Sequence, residues 1–199
     1  MGRRKSYDRD ELTAYALDIF QEHGFGATSA EMLSRELGVN RYSLYAEFGN
    51  KQGLFEAALE RYDKLNLSQI LGPMERGESG VDAVVGLFEL VERASMGSAL
   101  GRGCLLCNTA VELGSTEPAG KDFIPAYFER IESAFATALT RAAERGELDQ
   151  RIKIRVEAAH FTACLLGLFV MLRAKAPANV IQNATRSAAA HARAMRKDH

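Results

Sequence analysis

The fold of this chain is decided by residues 28–51, which read TSAEMLSRELGVNRYSLYAEFGNK. Apolar residues recur in this segment at helical spacing and Gly38 interrupts them, which favours two short helices joined by a tight turn. Thr28 stands three residues before Glu31, the spacing of a capping box, and predicts the start of the first helix. Asn40 is a suitable N-cap for the second helix. The segment therefore predicts a helix-turn-helix.

Helical periodicity continues on both sides of this segment, and no convincing strand pattern interrupts it. The sequence therefore predicts an all-α chain of about nine helices, in which an N-terminal three-helix domain with the helix-turn-helix precedes a C-terminal helical bundle. Residues 72–80, rich in Gly, Glu and Ser, are the expected linker between a domain over 7–67 and a domain over 80–196. The predicted helices lie close to 8–23, 28–38, 41–46, 50–62, 81–95, 104–113, 121–145, 151–175 and 177–195.

The composition is that of an ordinary globular protein, with 47% hydrophobic and 26% charged residues among 199. The N-terminus shows no apolar stretch typical of a signal peptide, and the longest apolar run, 161–172, is shorter than the roughly 20 residues that cross a bilayer. Three cysteines, an odd number, favour reduced thiols. We therefore expect a cytoplasmic protein with no membrane partner.

The second helix of the helix-turn-helix carries side chains suited to duplex DNA. Arg41, Tyr42 and Ser43 are expected to point outward, and Arg41 and Tyr42 lie at its start, where such helices contact base edges. Tyr45 and Lys51 flank the helix, and a phenol and an ammonium there suit phosphate oxygens. The pattern indicates DNA binding. The alternative is two packed helices that bind no DNA, with both tyrosines half-buried.

Residues 7–62 resemble the DNA-binding domain of TetR-type regulators. The resemblance is carried by spaced positions, namely Ala16, Phe20, Gly24, Thr28, Leu33, Gly38, Val39, Leu44, Tyr45, Phe48, Lys51 and Leu54. It implies a homodimer with two such domains, a helical region that binds an effector, and repression from double-stranded operator DNA that the effector relieves. The predicted DNA-contacting residues are Thr28, Ser29, Asn40, Arg41, Tyr42, Ser43, Tyr45 and Lys51.

Three positions depart from the family pattern. Ser34 stands where a small Ala is usual, Asn40 replaces the common Ser or Thr, and Glu47 stands where the family often has His. Phosphate would repel a carboxylate that faced it, so we expect Glu47 to point away from DNA. Residues 3–64 hold nine basic and eleven acidic side chains, so DNA binding depends on the local placement of charge, including the basic residues 3–5.

Cys104 and Cys107 form a Cys-x-x-Cys, for which three interpretations stay open. The two thiols are packing groups of the core, a thiol sensor, or part of a metal site. Residues 103–112 are similar to a stretch in TetR-type regulators of electrophile stress, where a cysteine can be the sensor. A zinc site requires about four ligands, and no second pair of cysteines or histidines has a suitable spacing.

Glu157 and His160 form a Glu-x-x-His, the unit from which di-iron helical bundles are built. Such a site requires two of these units and further carboxylates, and the sequence holds one unit. We therefore predict no metal, no cofactor and no catalytic residue. The rival hypothesis is a helical-bundle enzyme, with or without a metal, that carries a non-functional helix-turn-helix.

The region after residue 80 is expected to bind a small apolar or electrophilic effector, because such pockets are mainly apolar with a few polar groups. The candidate lining residues are Phe88, Cys104, Cys107, Asn108, Tyr127, Phe128, His160 and Phe161. Residues 151–195 are the expected homodimer interface, since their apolar run is too hydrophobic to leave in water and the last helix carries small residues. Leu168 is expected to lie on the interface.

Overall fold

The computed structural model describes residues 7–76, 80–97, 99–114 and 123–197. Within these ranges the helices are the only regular elements, and the only extended pairing is an isolated bridge between Leu148 and Arg196. The helices are α1 (Arg9–His23), α2 (Ala30–Glu36), α3 (Arg41–Phe48), α4 (Lys51–Tyr62), a π-helical turn (Asp63–Leu67), α5 (Ser68–Glu75), α6 (Val81–Ala94), α7 (Leu105–Leu113), α8 (Phe123–Glu144), α9 (Ile154–Arg173) and α10 (Ala178–Ala194). The prediction of an all-α chain is confirmed. We call α1–α4 the head and α5–α10 the body.

The short helices of the head begin at side-chain caps. Asn40 Oδ1 accepts a hydrogen bond from Ser43 N at 2.8 Å, and Asn50 Oδ1 accepts one from Gly53 N at 2.9 Å. The predicted cap of α2 was wrong by one residue. Ser29 Oγ accepts from the backbone N–H of α2, whereas the Thr28 side chain is buried and its hydroxyl donates to the Gly24 carbonyl at 2.6 Å.

The prediction of a linker over residues 72–80 was wrong for residues 72–75, which are helical. Pro73 lies inside α5, which follows α4 and the π-helical turn without a break, so these three count as one of the predicted nine helices. Leu71 and Met74 are fully buried, and α5 packs against α8. This burial outweighs the low helix propensity of Gly and Pro, and Pro73 itself stays on the exposed side. Residues 77–79 lie outside the described ranges.

The core of the body is an aromatic cluster. The ring centroids of Phe88, Phe135 and Phe161 lie 5.5–6.1 Å apart, and all three side chains are fully buried. α10 packs against α6 and α8 packs against α9 around this cluster. Because buried residues of head and body form one continuous hydrophobic cluster, the domain division at 67 and 80 stays a prediction.

One side of α9 is covered and the other is not. Leu165 and Leu168 are buried within the chain, whereas Ala159, Ala163 and Val170 are exposed. The expectation that Leu168 lies on a dimer interface was therefore wrong, since this side chain belongs to the core. By length and composition alone α9 could cross a membrane, and 28% of its apolar stretch is buried. A helix of a globular core passes the same criterion.

Candidate DNA interface and effector clefts

The turn of the helix-turn-helix is stabilised by a residue that sequence analysis had noted only as a departure. Ser34 Oγ donates a hydrogen bond to the Val39 carbonyl at 2.6 Å, across the turn. Gly38 has a φ of 65°, a left-handed conformation that favours glycine. Leu33 and Leu44 are fully buried between α2 and α3. Ser34 thus gives the turn a hydrogen bond that an alanine would lack.

The first turn of α3 presents the outward chemistry of the head. The Tyr42 side chain is 85% exposed, and the exposed Arg41 guanidinium lies 5.5 Å from the centroid of the half-buried Tyr45 ring. Ser43 is half-buried, and its carbonyl accepts a hydrogen bond from the Tyr7 hydroxyl at 3.2 Å. Ser29 and Asn40 are exposed, but each uses a side-chain oxygen as a helix cap. A guanidinium and phenols therefore dominate this surface.

Lys51 and Thr28 point into the protein rather than outward. Lys51 Nζ donates to the carbonyls of Phe25 and Thr28 at 2.9 and 3.0 Å, and it lies 4.1 Å from the centroid of the Phe25 ring. Two of the three ammonium protons are thereby used on the loop between α1 and α2. The Thr28 hydroxyl donates its hydrogen bond to the Gly24 carbonyl. Both side chains are predicted DNA contacts, and in the structure both hold the loop between α1 and α2.

Glu47, the acidic residue of α3, points away from the outward surface, as we expected from the repulsion between a carboxylate and phosphate. Glu47 Oε1 lies 3.5 Å from Arg9 Nε, and its side chain is 12% exposed. The guanidinium of Arg9 also covers the Phe48 ring at 5.0 Å. α1 thus screens this carboxylate. The basic residues 3–5 lie outside the described residues.

The predicted effector residues do not form one pocket. Phe88 and Phe161 are core residues. Tyr127 is buried, whereas Phe128 is 38% exposed and His160 is also exposed. Helical periodicity identifies apolar positions but does not distinguish a core from a pocket lining, which explains the error.

The two thiols of the Cys-x-x-Cys, Cys104 and Cys107, are buried in the body. Cys104 Sγ lies 3.4 Å from the Tyr127 hydroxyl, and Cys107 Sγ lies 3.9 Å from the Leu166 carbonyl oxygen. Burial raises the pKa of both thiols, that of Cys107 to about 12. Because a reactive thiol is partly exposed and has a lowered pKa, this environment favours the packing interpretation over a thiol sensor.

Glu157 and His160 do not converge on a common point. Glu157 Oε2 lies 2.7 Å from His191 Nε2, while His160 Nε2 lies 3.6 Å from Cys164 Sγ. Among the described residues, no group of three or more His, Cys, Asp or Glu side chains is placed to hold a metal ion.

Two open clefts lie along the boundary of head and body, at sites that sequence analysis missed. The junction cleft, of about 270 Å³, is lined by residues from α1, α4, α7, α9 and the loop after α1, and it includes the predicted Asn108. The second cleft, of about 340 Å³, lies beside the π-helical turn, where Tyr62, Asn66 and Gln69 line it. Their walls come from segments far apart in the chain, so no local pattern identifies them.

Known families match most of the chain. Residues 12–58 match the family profile described as "Bacterial regulatory proteins, tetR family", and residues 80–188 match "Tetracyclin repressor-like, C-terminal domain". The uncharacterized HTH-type transcriptional regulator YezE of Bacillus subtilis (strain 168) is 31% identical over 153 residues, which cover 75% of this chain and 77% of that protein. The HTH-type transcriptional repressor ComR of Escherichia coli (strain K12) is 27% identical over 174 residues, covering 86% and 82%.

Solved structures share the fold. A cysteine mutant of the TetR family transcriptional regulator CifR, complexed with 26-bp double-strand operator DNA, superposes with a TM-score of 0.85 at 24% identity, covering 95% of this chain and 98% of that one. The matched families and relatives are transcriptional regulators rather than enzymes, which removes the rival hypothesis of a bundle enzyme. The chain belongs to the TetR family of DNA-binding transcriptional regulators.

Proposed function

We propose that this chain is a ligand-responsive repressor, which acts in the cytoplasm as a homodimer on a partly palindromic operator and is released by a small effector. The observation that carries the proposal is the first turn of α3, where Tyr42 is 85% exposed beside the exposed Arg41. The relative ComR is a repressor, and the structural neighbour CifR was solved on operator DNA. Both support the same function here.

The DNA contacts are divided by chemistry. Arg41 and Tyr42 read base edges, since they lie where recognition helices enter the major groove. Tyr45 contacts phosphate, as do Ser29 at the start of α2 and Asn40 and Ser43 at the start of α3. Lys51 has one ammonium proton left for a phosphate, and Thr28 acts by holding the loop before α2.

The dimer forms through α9 and α10, within residues 151–195. The exposed side of α9 carries small residues at a spacing of four, Ala159, Ala163 and the half-buried Gly167. Ser187 of α10 is exposed as well. Small residues allow two helices to approach closely, and an uncovered apolar helix face requires a partner in water. A second copy of the chain is the partner that covers this face of α9.

The DNA assignment is tested on a duplex that the purified protein selects from a random library. Tyr42→Ala should weaken binding to this duplex by about 1–3 kcal/mol, or roughly 5–150-fold, with little change on a scrambled duplex. Tyr15→Ala is the matched control, since Tyr15 is a 63% exposed tyrosine of α1. Equal losses for both variants contradict the assignment. If the wild type selects no duplex, the repressor proposal fails.

Repression itself is tested with the selected duplex placed over a promoter that drives a reporter. The wild-type chain should lower reporter output and Tyr42→Ala should restore it. An increase of output by the wild type would identify an activator instead.

The dimer is tested by light scattering. Ala163→Arg on the exposed side of α9 should give a folded monomer, because two buried guanidinium groups would face each other at the contact. Ala143→Arg on the exposed side of α8 should stay dimeric. A well-folded wild-type monomer at micromolar concentration would overturn this part of the proposal.

A further inference from the structure

A carboxylate of the body holds the loop that leads into the helix-turn-helix. Glu112, in the last turn of α7, accepts hydrogen bonds from the backbone N–H groups of Phe25 at 3.0 Å and Gly26 at 2.6 Å. The carboxylate lies so close to the loop that a Cβ on Gly24 would come within 2.5 Å of Glu112 Oε2. Gly24 also has a φ of 83°, which glycine adopts readily. Residues 24–26 are thereby tied to the body.

Lys51 holds the same loop from the side of the head. Its ammonium binds the carbonyls of Phe25 and Thr28, one residue before the N-cap of α2. The N–H groups of the loop therefore point to the body and its carbonyls to the head. Since α2 begins directly after this loop, Glu112 contributes to the placement of α2 and α3 relative to the body, in addition to the packing of α1 and α4 on α7.

The junction cleft opens beside this carboxylate and is aromatic on one side. The Phe20 and Phe55 centroids lie 4.9 Å apart, and those of Phe25 and Phe55 lie 4.8 Å apart. The half-buried Phe25 ring faces the cleft, the fully buried Phe20 and Phe55 rings lie behind it, and apolar side chains of α7 and α9 complete the wall. A cleft of about 270 Å³ with this lining suits a compact ligand built on one aromatic ring.

The polar rim of the cleft suits a carboxylate. Arg173 lines the cleft and donates to the carbonyls of Gln21, Glu22 and Gly101 at 2.9–3.1 Å. Within the part of the chain that the structure describes, these carbonyls are its hydrogen-bond partners and no carboxylate pairs with it. The N–H groups of Phe25 and Gly26 already bind one carboxylate, that of Glu112. Ligand and Glu112 therefore compete for the same donors.

We propose that the junction cleft binds a small aromatic carboxylate, whose ring packs on the half-buried Phe25 in front of Phe20 and Phe55 and whose carboxylate displaces that of Glu112 from the loop near Arg173. Two carboxylates that require the same N–H groups repel each other, so the bound state and the Glu112-tied state exclude each other. A ligand shifts an equilibrium only by its differential affinity for the two states, and this exclusion provides that difference. Binding frees residues 24–26 from α7 and releases α2 and α3 from their fixed placement. The effect on DNA rests on the proposed repressor function.

Binding to the cleft is tested without DNA by calorimetric titration of the full-length protein with benzoate. Saturable binding of one benzoate per chain is expected, and benzyl alcohol should bind at least tenfold more weakly because it lacks the charge. Val111→Trp should abolish benzoate binding, since Val111 is a 73% exposed residue lining the cleft. Ala143→Trp on α8 should bind as the wild type does. Absence of benzoate binding, equal binding of benzyl alcohol, or unchanged binding to Val111→Trp with a wild-type melting temperature would overturn the proposal.

Competition with Glu112 has its own test. Glu112→Gln keeps a hydrogen-bond acceptor for the loop but removes the charge, so benzoate should bind this variant at least fivefold more tightly than the wild type. Glu129→Gln, at an exposed site on α8, should leave the affinity unchanged. Equal affinity for Glu112→Gln and wild type would overturn the displacement.

The link to DNA is measured last, on the selected duplex. Benzoate should lower duplex affinity of the wild type at least fivefold and leave that of Val111→Trp unchanged. Benzoate binding with no effect on duplex affinity would overturn the switch and leave the repressor proposal intact. Failure of the wild type to select any duplex would overturn the repressor proposal, while the calorimetric result would still decide the cleft.

Discussion

The head and the body build their helices in different ways. Each of the helices α1–α4 begins at a side-chain oxygen that accepts a backbone N–H, from Asp8, Ser29, Asn40 and Asn50. In the body α6, α7, α9 and α10 begin without such a bond, and α5 continues α4 through the π-helical turn. The head helices α2 and α3 have 7 and 8 residues, too few to be stable alone, whereas α8 and α9 have 22 and 20.

The two regions are therefore stabilised by different interactions. Local capping sets the ends of the short head helices, and a fixed α3 is what a DNA-reading surface requires. The body depends on the burial of long helix faces around Phe88, Phe135 and Phe161. The two clefts lie at the boundary between these regions. Four substitutions or conditions test this division, in order of decreasing effect.

The largest effect is expected in the aromatic core of the body. Phe135→Ala should lower the free energy of unfolding by about 3–5 kcal/mol, because it leaves a cavity between two buried rings. Chemical denaturation at fixed protein concentration measures this loss. Phe128→Ala, on the same helix but 38% exposed, is the control and should cost far less. Similar losses for both would show that the body does not depend on this cluster.

A smaller loss is expected for Lys51→Ala in the head. Two loop carbonyls lose a charged donor, which should lower the free energy of unfolding by about 1.5–3 kcal/mol even without DNA. Lys64→Ala, at an exposed lysine of the π-helical turn, should leave stability unchanged. If Lys51→Ala unfolds like the wild type, Lys51 serves phosphate alone and the loop is held by other groups.

The buried thiols of the body make stability depend on alkaline pH. Burial raises the pKa of Cys104 and Cys107 in the folded state, so above about pH 8.5 the unfolded state loses thiol protons that the folded state keeps. The free energy of unfolding should therefore fall as pH rises, by on the order of 1–2 kcal/mol at pH 9 for the two thiols together. Denaturation curves between pH 7 and pH 9.5 would show this slope. The double variant Cys104→Ala/Cys107→Ala should show a shallower slope, and an equal slope would refute the assignment.

The smallest effect concerns the cap of α3. Asn40→Ala should cost about 1 kcal/mol of unfolding free energy, because Ser43 N loses its acceptor, and Asn40→Asp should restore most of it. Denaturation of the three proteins side by side provides the measurement. A loss that Asp does not recover would mean that the Asn40 side chain acts through something other than the cap.

Sequence patterns predicted the head better than the body. Gly38 and Asn40 act on neighbours within a few residues, so the turn and the helix start that they form can be predicted without the rest of the chain. The one-residue error at Thr28 arose because two hydroxyls stand side by side and only the inward packing of Thr28 selects Ser29 as the cap. Pro73 led to the wrong prediction of a linker, because its local preference against a helix interior is outweighed by the burial of Leu71 and Met74 against α8.

The sequence by itself determined an all-α chain with a DNA-reading helix-turn-helix, because helix period, turn glycine and caps are short-range signals. Only the tertiary structure decided that Leu168 faces the core, that Lys51 holds a loop, and that Glu112 ties that loop to the body. It also decided where the clefts lie, since the junction cleft joins residues from Phe20 to Arg173. An amphipathic pattern shows that a face is apolar. What covers that face, whether core, second copy or ligand, depends on contacts between segments far apart in the chain.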